Sequence, residues 1–380
     1  MSIELTQKIM RFGIVSFLFL CVLTMYGVDV RISHQYAFIL GVIVLSSLLL
    51  RNIWLTLLLA WATFLFSYFQ FKTGWNYLAN IFYGCMLFYL TKVAFSKKDI
   101  DFFIKIALWV LALNVLYMIP QIMKLDFIYA HYETLKGFMA GYGSLNRPAP
   151  IGFMGNTSNM AAFIAMMIPL LATRKGKFPL IASGLLFIPL YYLHSSTNLI
   201  AAVITSLFVV FYRFSKKIFI GCVIGLVFLG GIYLTRVDGI GTERFNQWQM
   251  VLTDGWSHPV VGWGLDSFRN FTPNKNFIYT AGARVYDDGK VWTNTWDNPH
   301  NLFVSLFYEF GIVGIFLVLG LLRQYFLWFR KAPKDPNLIA LAGFLIAFLV
   351  CSMGHFPIFL ARTAVFIIPV VALFEVEVRT

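Results

Sequence analysis

Residues 301–329 form an apolar run interrupted by only two charges, Glu309 and Arg323, and it is long enough to cross a bilayer as a helix. Similar runs follow one another along most of the chain, and no other feature limits its folding as strongly. Hydrocarbon offers no partner to a backbone N–H or C=O, so a crossing segment must satisfy all of them internally, as a helix does. About twelve such segments are readable: residues 12–28, 36–50, 53–69, 77–95, 102–123, 159–173, 178–193, 198–214, 218–234, 301–329, 338–353 and 358–374. The first two and the sixth are short. The expected fold is an all-α, polytopic membrane helical bundle of about 12 transmembrane helices, with a large outer loop containing short interfacial helices. Composition agrees: 59% of residues are hydrophobic, 12% are charged, and mean hydropathy is +0.75. No fixed-period repeat, low-complexity segment or cleavable leader is visible; the first apolar run lacks a small-residue cleavage site and others follow it.

A net charge of +13 would suggest nucleic acid if it were gathered on one surface. It is instead divided among short loops, at Lys8/Arg11, Lys97/Lys98, Arg174/Lys175/Lys177, Lys216/Lys217 and Arg330/Lys331/Lys334. With alternating spans these clusters share one side, so the positive-inside rule puts both termini in the cytoplasm. The expected divisions are residues 1–123 (five spans), 124–158 (first outer loop), 159–234 (four spans), 235–300 (large outer loop) and 301–380 (three spans and a short tail). Cys21, Cys85, Cys222 and Cys351 lie inside apolar runs without paired spacing, which reads as packing rather than a disulfide framework or metal site. No cofactor is indicated. All six histidines fall at or near the outer face on this topology, which is where polar side chains concentrate.

The loop 235–300 is too polar to cross a bilayer and too rich in Trp, Gly and Pro to be a tether. Within it, residues 242–255 carry helix signals, a Thr242 cap and a Gly255 stop. Phe245, Trp248, Val251 and Leu252 make an apolar stripe suited to a helix lying along the membrane. Arg244 and Trp248 are four apart and share a face. They are either a snorkelling arginine beside an anchoring tryptophan, or an arginine held at headgroup depth to fork onto phosphate oxygens. The following His258-Pro259-Val260-Val261-Gly262-Trp263-Gly264 is turn chemistry with aromatic walls. Five of the ten tryptophans lie in this loop, as membrane-interface anchors or as platforms for saccharide rings.

In Asn298-Pro299-His300-Asn301, Asn298 suits an N-cap and Pro299 the first helical position. His300 would then occupy the first turn, where the helix dipole disfavours imidazolium and keeps the ring neutral, the form a general base needs. Free N–H groups there could also hold a diphosphate. Glu309 lies deeper in the same run and needs a partner such as Arg362, which favours a structural role. In the first outer loop Arg147 stands as a lone cation, either a topological anchor or a ligand. It precedes a neutral polar segment, residues 150–159, that leads into the sixth span.

These residues together resemble the O-antigen ligase/O-antigen polymerase superfamily of bacterial envelope glycosyltransferases. The resemblance rests on Arg147…Gly152-Phe153…Asn156…Asn159, then Arg244-x-x-x-Trp248. It continues through His258-Pro259-Val260-Val261-Gly262-Trp263-Gly264 and His300-Asn301…Glu309-x-Gly311-x-x-Gly314. It implies transfer of a glycan from an undecaprenyl-diphosphate carrier to an acceptor hydroxyl, on lipid A-core or a growing polysaccharide, at the periplasmic face of the bacterial inner membrane. Chain-length regulators or other polysaccharide-assembly proteins would be partners. The chain lacks the long C-terminal periplasmic part looked for in protein O-oligosaccharyltransferases, which disfavours that branch. Arginines at headgroup depth can stabilise a departing lipid diphosphate without a metal. The expected site therefore has His300 as base and Arg244 on the diphosphate. Arg147, Arg269, Trp248, His258, Trp263 and Asn301 would contact substrate, with Glu309 behind them.

Two rival readings follow. A repeat-unit polymerase would share these motifs with a ligase. A lipid-linked oligosaccharide flippase would carry polar residues near the midplane and show repeated halves, and neither is evident in the sequence.

Overall fold

The computed structural model describes residues 54–55, 57–58, 61–62, 65, 74–123, 150–154, 157–193, 195–213, 242–265, 267–268, 284–285, 291–292, 299–331, 335–354, 358 and 361–379. Among them the helices are α1 (Gly74–Ala94), α2 (Ile100–Ile122, entered through a 3-10 turn at Lys97–Asp99), α3 (Thr157–Ala172), α4 (Lys177–Leu185) and α5 (Phe187–Tyr192). They continue with α6 (Ser196–Arg213), α7 (Thr242–Gly255), α8 (Leu302–Phe329), α9 (Pro336–Cys351) and α10 (Ala361–Arg379). The stretches Lys97–Ile122, Ser196–Arg213 and Leu302–Phe329 are long and apolar enough to cross a membrane. Thr157–Ala172, Lys177–Tyr192 and Pro336–Cys351 are shorter apolar helices. The expected spans at 12–28, 36–50 and 218–234 lie outside the described residues, as does most of 53–69.

Two local departures have physical causes. The expected span 178–193 is divided after Leu185, because Pro189 has no N–H to return to the carbonyl of residue 185. The large loop, expected to contain short helices, also holds a two-stranded antiparallel ribbon, β1 (Arg284–Val285) on β2 (Val291–Trp292), with Arg284 opposite Trp292.

α3 sits at the centre. Every residue from Met160 to Leu170 is buried, as a helix that is apolar all round requires. It packs against α9, α6 and α2. Ala161, Ala162 and Ala165 on α3, Ala201 and Ala202 on α6, and Ala340, Gly343 and Ala347 on α9 are all buried or in close contact there, and such small side chains let helices approach closely where no water drives them together.

The two ends of the bundle differ in chemistry. One end holds ion pairs: Lys92 on α1 with Glu375 on α10 (2.6 Å), and Lys97 with Glu377 (2.7 Å) and Asp335 (3.8 Å). Arg174 joins Asp101 and Asn337 there, and the Tyr325 hydroxyl donates to Glu375 Oε1 (3.1 Å). The other end is held by neutral hydrogen bonds. Asn198 Nδ2 donates to Ser158 O (3.1 Å), Asn301 Nδ2 to Met353 O (3.1 Å), and Leu302 N–H to Ser352 O (2.8 Å). The segments that close the two long loops, residues 150–154 and 299–301, stand at this neutral end.

Candidate active site

Asn301, not Asn298, caps α8. Its backbone is extended (φ −152°, ψ 116°), and its Oδ1 accepts the N–H groups of Phe303 (2.9 Å) and Val304 (3.2 Å). Pro299 and His300 therefore precede the helix instead of forming its first turn. A cap needs extended backbone and an acceptor within reach of the second and third helical N–H groups, and Asn301 provides both. Asn298 lies outside the described residues. His300 has φ +49°, which among the described residues makes it the one non-glycine in the left-handed region. The ties on either side of it hold that conformation, a pattern associated with functional sites. It is half-buried and still stands at the positive end of α8.

The described part of the α7 stripe packs onto α8. Val251 is buried, and Trp248 and Leu252 pack with it against Val304 and Tyr308 on α8 and against Phe268. α7 is pinned to α8 at two further points. Trp248 Nε1 donates to Pro299 O (2.8 Å), and the Tyr308 hydroxyl donates to Asp254 Oδ2 (2.8 Å). Arg244 stands one turn before Trp248 on this helix, so the helix that carries the arginine is bonded to the peptide that precedes His300. The side chains of Arg244 and Phe245 lie outside what is described.

Gly311 (φ 65°, ψ −168°) breaks α8. The break removes helical partners from the carbonyls of Tyr308 and Glu309 and from the N–H of Ile312, and the turn 258–264 supplies new ones. Trp263 N–H donates to Tyr308 O (2.7 Å), Gly264 N–H to Glu309 O (3.0 Å), and Ile312 N–H to Pro259 O (2.8 Å). Trp61 Nε1 takes Phe310 O (3.0 Å). Gly262 (φ 68°) meets Gly311 backbone to backbone, and a Cβ on either would collide with the main chain of the other segment. Irregular backbone among membrane helices is tolerated only where protein satisfies it in this way. The His258-Pro259-Val260-Val261-Gly262-Trp263-Gly264 and His300…Gly311 motifs are thus two halves of one clasp.

The aromatic rings of this turn divide into packed and open. His258 lies against Trp263 (centroids 4.0 Å apart), with Ser257 Oγ 3.2 Å from His258 Nδ1. Trp263 also stacks on Tyr308 (6.4 Å) and donates Nε1 to Asp254 O (3.3 Å). Trp256 is 62% exposed and is the open ring. Glu309 is 2% exposed and its carbonyl is held in the clasp; the side chain of its expected partner, Arg362, is outside what is described.

The first outer loop rejoins the bundle through residues the sequence reading passed over. Gln121 Oε1 accepts the N–H groups of Ile151 (2.8 Å) and Gly152 (2.8 Å), and Asn114 Oδ1 accepts that of Phe153 (2.9 Å). Phe153 stacks on Tyr117 (4.4 Å), and Asn159 Nδ2 holds Met154 O (3.2 Å). The available signal was two carboxamides seven residues apart, on one face of an otherwise apolar helix. From Ser158 a polar rim continues through Asn198 and Thr197, against Gly354, to Met353, Asn301 and His300. Arg147, four residues before Ile151, and Arg269, next after Phe268, lie outside the described residues.

Residues 155–319 match the family model described as O-antigen ligase. This match supports the resemblance to the O-antigen ligase/polymerase superfamily over residues 155–319. No curated relative matches. The O-antigen ligase-family region runs from the polar rim before α3 to Leu319 in α8, so it takes in the clasp, Arg244, Trp248 and His300, while Arg147 falls just ahead of it. The matched family is one of membrane glycosyltransferase-type enzymes and implies lipid-linked glycans as substrates.

Proposed function

We propose that the protein transfers a glycan from an undecaprenyl-diphosphate carrier to an acceptor hydroxyl, as an O-antigen ligase, at the periplasmic face of the bacterial inner membrane. One observation carries the reading: the Trp248–Pro299 hydrogen bond joins the Arg244 helix to the His300 peptide, at the same end of the bundle as the segment that follows Arg147. On this reading Arg244, carried by that helix, grips the diphosphate beside an imidazole able to take a proton.

In the proposed reaction the acceptor oxygen attacks the anomeric carbon and the bond from that carbon to the diphosphate oxygen breaks. The acceptor proton passes to His300, and the electron pair leaves with the lipid diphosphate, inverting the centre. Arg244 and Arg147, with Arg269, stabilise the charge that develops on the leaving group, which is the largest electrostatic demand of the step. Neutral His300 at the positive end of α8 is suited to act as base. The oxygen and nitrogen of the Asn301 carboxamide are engaged on the protein, as are the Trp263 indole N–H and the ring of His258. These three therefore shape the wall of the site, and Glu309 supports it from behind.

The test is His300→Ala in a strain lacking the native gene. Glycan transfer should fall by at least about 100-fold, the scale expected on losing a general base, with normal membrane insertion. Near-normal transfer would remove His300 from the mechanism. Loss of the gene should leave finished polymer on its carrier; single repeats on the core would instead assign a polymerase.

A further inference from the structure

His300 is restrained from both sides. Asn301 and Leu302, which follow it, are tied to Met353 and Ser352 at the end of α9. Pro299, which precedes it, has its carbonyl held by Trp248 Nε1 at 2.8 Å. The carbonyl of Pro299 belongs to the peptide plane whose other end is the His300 nitrogen, so the indole bond sets the plane from which φ of His300 is measured. That φ is +49°, a conformation that relaxes readily unless neighbouring structure enforces it. Trp248 itself is set by the packing of Val251 and Leu252 against α8.

We propose that Trp248 is a positioning residue for His300, acting through the Pro299 carbonyl, and that it does not serve as a glycan-stacking platform. This rests on His300 being the base. A ring N–H that fixes one peptide plane changes where the imidazole can meet the acceptor proton, and displacement by about 1 Å costs on the order of 100-fold in rate. The packing of Val251 and Leu252 and the Tyr308–Asp254 bond still hold α7 on α8, so the helix that carries Arg244, and with it the grip on the donor diphosphate, stays in place.

The experiment uses the full chain in proteoliposomes. The donor is the lipid-diphosphate-linked glycan that accumulates in a strain lacking the gene, and the acceptor is that strain's own unmodified acceptor lipid. Trp248→Phe keeps an aromatic ring and removes the N–H. Trp61→Phe removes the same kind of indole bond at Phe310 O, away from His300, and serves as the control. Expected results are a kcat lowered about 10- to 100-fold in Trp248→Phe, KM for the donor within about twofold of wild type, and unchanged kcat in Trp61→Phe. If Trp248→Phe fails to insert, β-(3-benzothienyl)alanine at 248, which is isosteric with tryptophan but has no N–H, takes its place with the same expected result. A wild-type kcat, a raised donor KM at constant kcat, or an equal fall in Trp61→Phe would overturn the proposal. His300→Ala in the same assay separates the two ideas: if it is active the base assignment fails, and if it is inactive while Trp248→Phe is normal, only the positioning role fails.

Discussion

At the scale of single residues, His300 is the one non-glycine among the described residues with its backbone in the left-handed region. A non-glycine side chain at φ +49° raises the energy of the native state by about 1 kcal/mol. His300→Gly should therefore unfold at a higher temperature than His300→Ala, by the equivalent of about 1 kcal/mol, while both lose transfer activity. Equal melting of the two variants in detergent would show that residue 300 is not strained. Asn301 does two jobs with one carboxamide, accepting from Phe303 and Val304 and donating to Met353. Asn301→Ala should cost about 2 kcal/mol, combining loss of the cap and of the tie to α9. Asn301→Asp keeps the cap acceptor and should recover about half of that loss in the same thermal measurement.

At the scale of elements, two arrangements decide how helices meet. The clasp between the turn 258–264 and broken α8 depends on two glycines in backbone contact. Gly311→Ala puts a Cβ into the Val260 main chain at a left-handed φ, and should destabilise by about 3 kcal/mol or more. Recovery of a normally folded protein at wild-type yield would contradict the broken-helix geometry. At the other end, α1 and α10 run parallel, so the negative ends of both dipoles meet; Lys92 and Lys97 lie there against Glu375 and Glu377. Lys92→Met leaves Glu375 buried without its cation and should cost about 3–5 kcal/mol. The double change Lys92→Met with Glu375→Gln should restore most of that, because the uncompensated charge is gone. A double variant no more stable than Lys92→Met alone would show that the cost lies in packing.

At the scale of the whole molecule, the two ends of the bundle differ in chemistry, and the positive-inside rule predicts which faces the cytoplasm. Ion pairs and the basic residues Lys97, Arg174 and Arg330 collect at one end; hydrogen-bonded carboxamides, Pro299 and His300 collect at the other. In a chain whose native cysteines are replaced by serine, Ser257→Cys and Met353→Cys should react with an impermeant maleimide in intact spheroplasts. Lys331→Cys should react only after permeabilisation. Labelling of positions 257 and 353 from opposite sides would dissolve the proposed site, since the Arg244 helix and the His300 turn would no longer share a compartment.

Much of this was legible in the chain itself. In the apolar runs that became α1, α2, α3, α6, α8 and α9, helix ends fell within a few residues of the hydropathy boundaries, because a helix in hydrocarbon satisfies its own backbone and needs no distant partner. The motif residues Arg244, Trp248, His258, Gly262, Trp263, His300 and Gly311 were also visible by type and spacing. Their partners were not. Nothing local chooses Asn301 over Asn298 as the cap; the choice follows from Met353 and Ser352 at the end of α9. Nothing local directs Trp248, Val251 and Leu252 of α7 onto Val304 and Tyr308. Asn114 and Gln121 stood out only as polar residues in an apolar run until residues 151–153 were seen on them. Sequence alone therefore determined that the chain is a helical membrane protein with a long polar loop bearing arginine and histidine, since periodicity and hydropathy act over neighbouring residues. Tertiary structure alone decided that the turn 258–264 closes on a broken helix and that one indole holds the peptide before His300, because those bonds join groups about fifty residues apart and no local pattern encodes them.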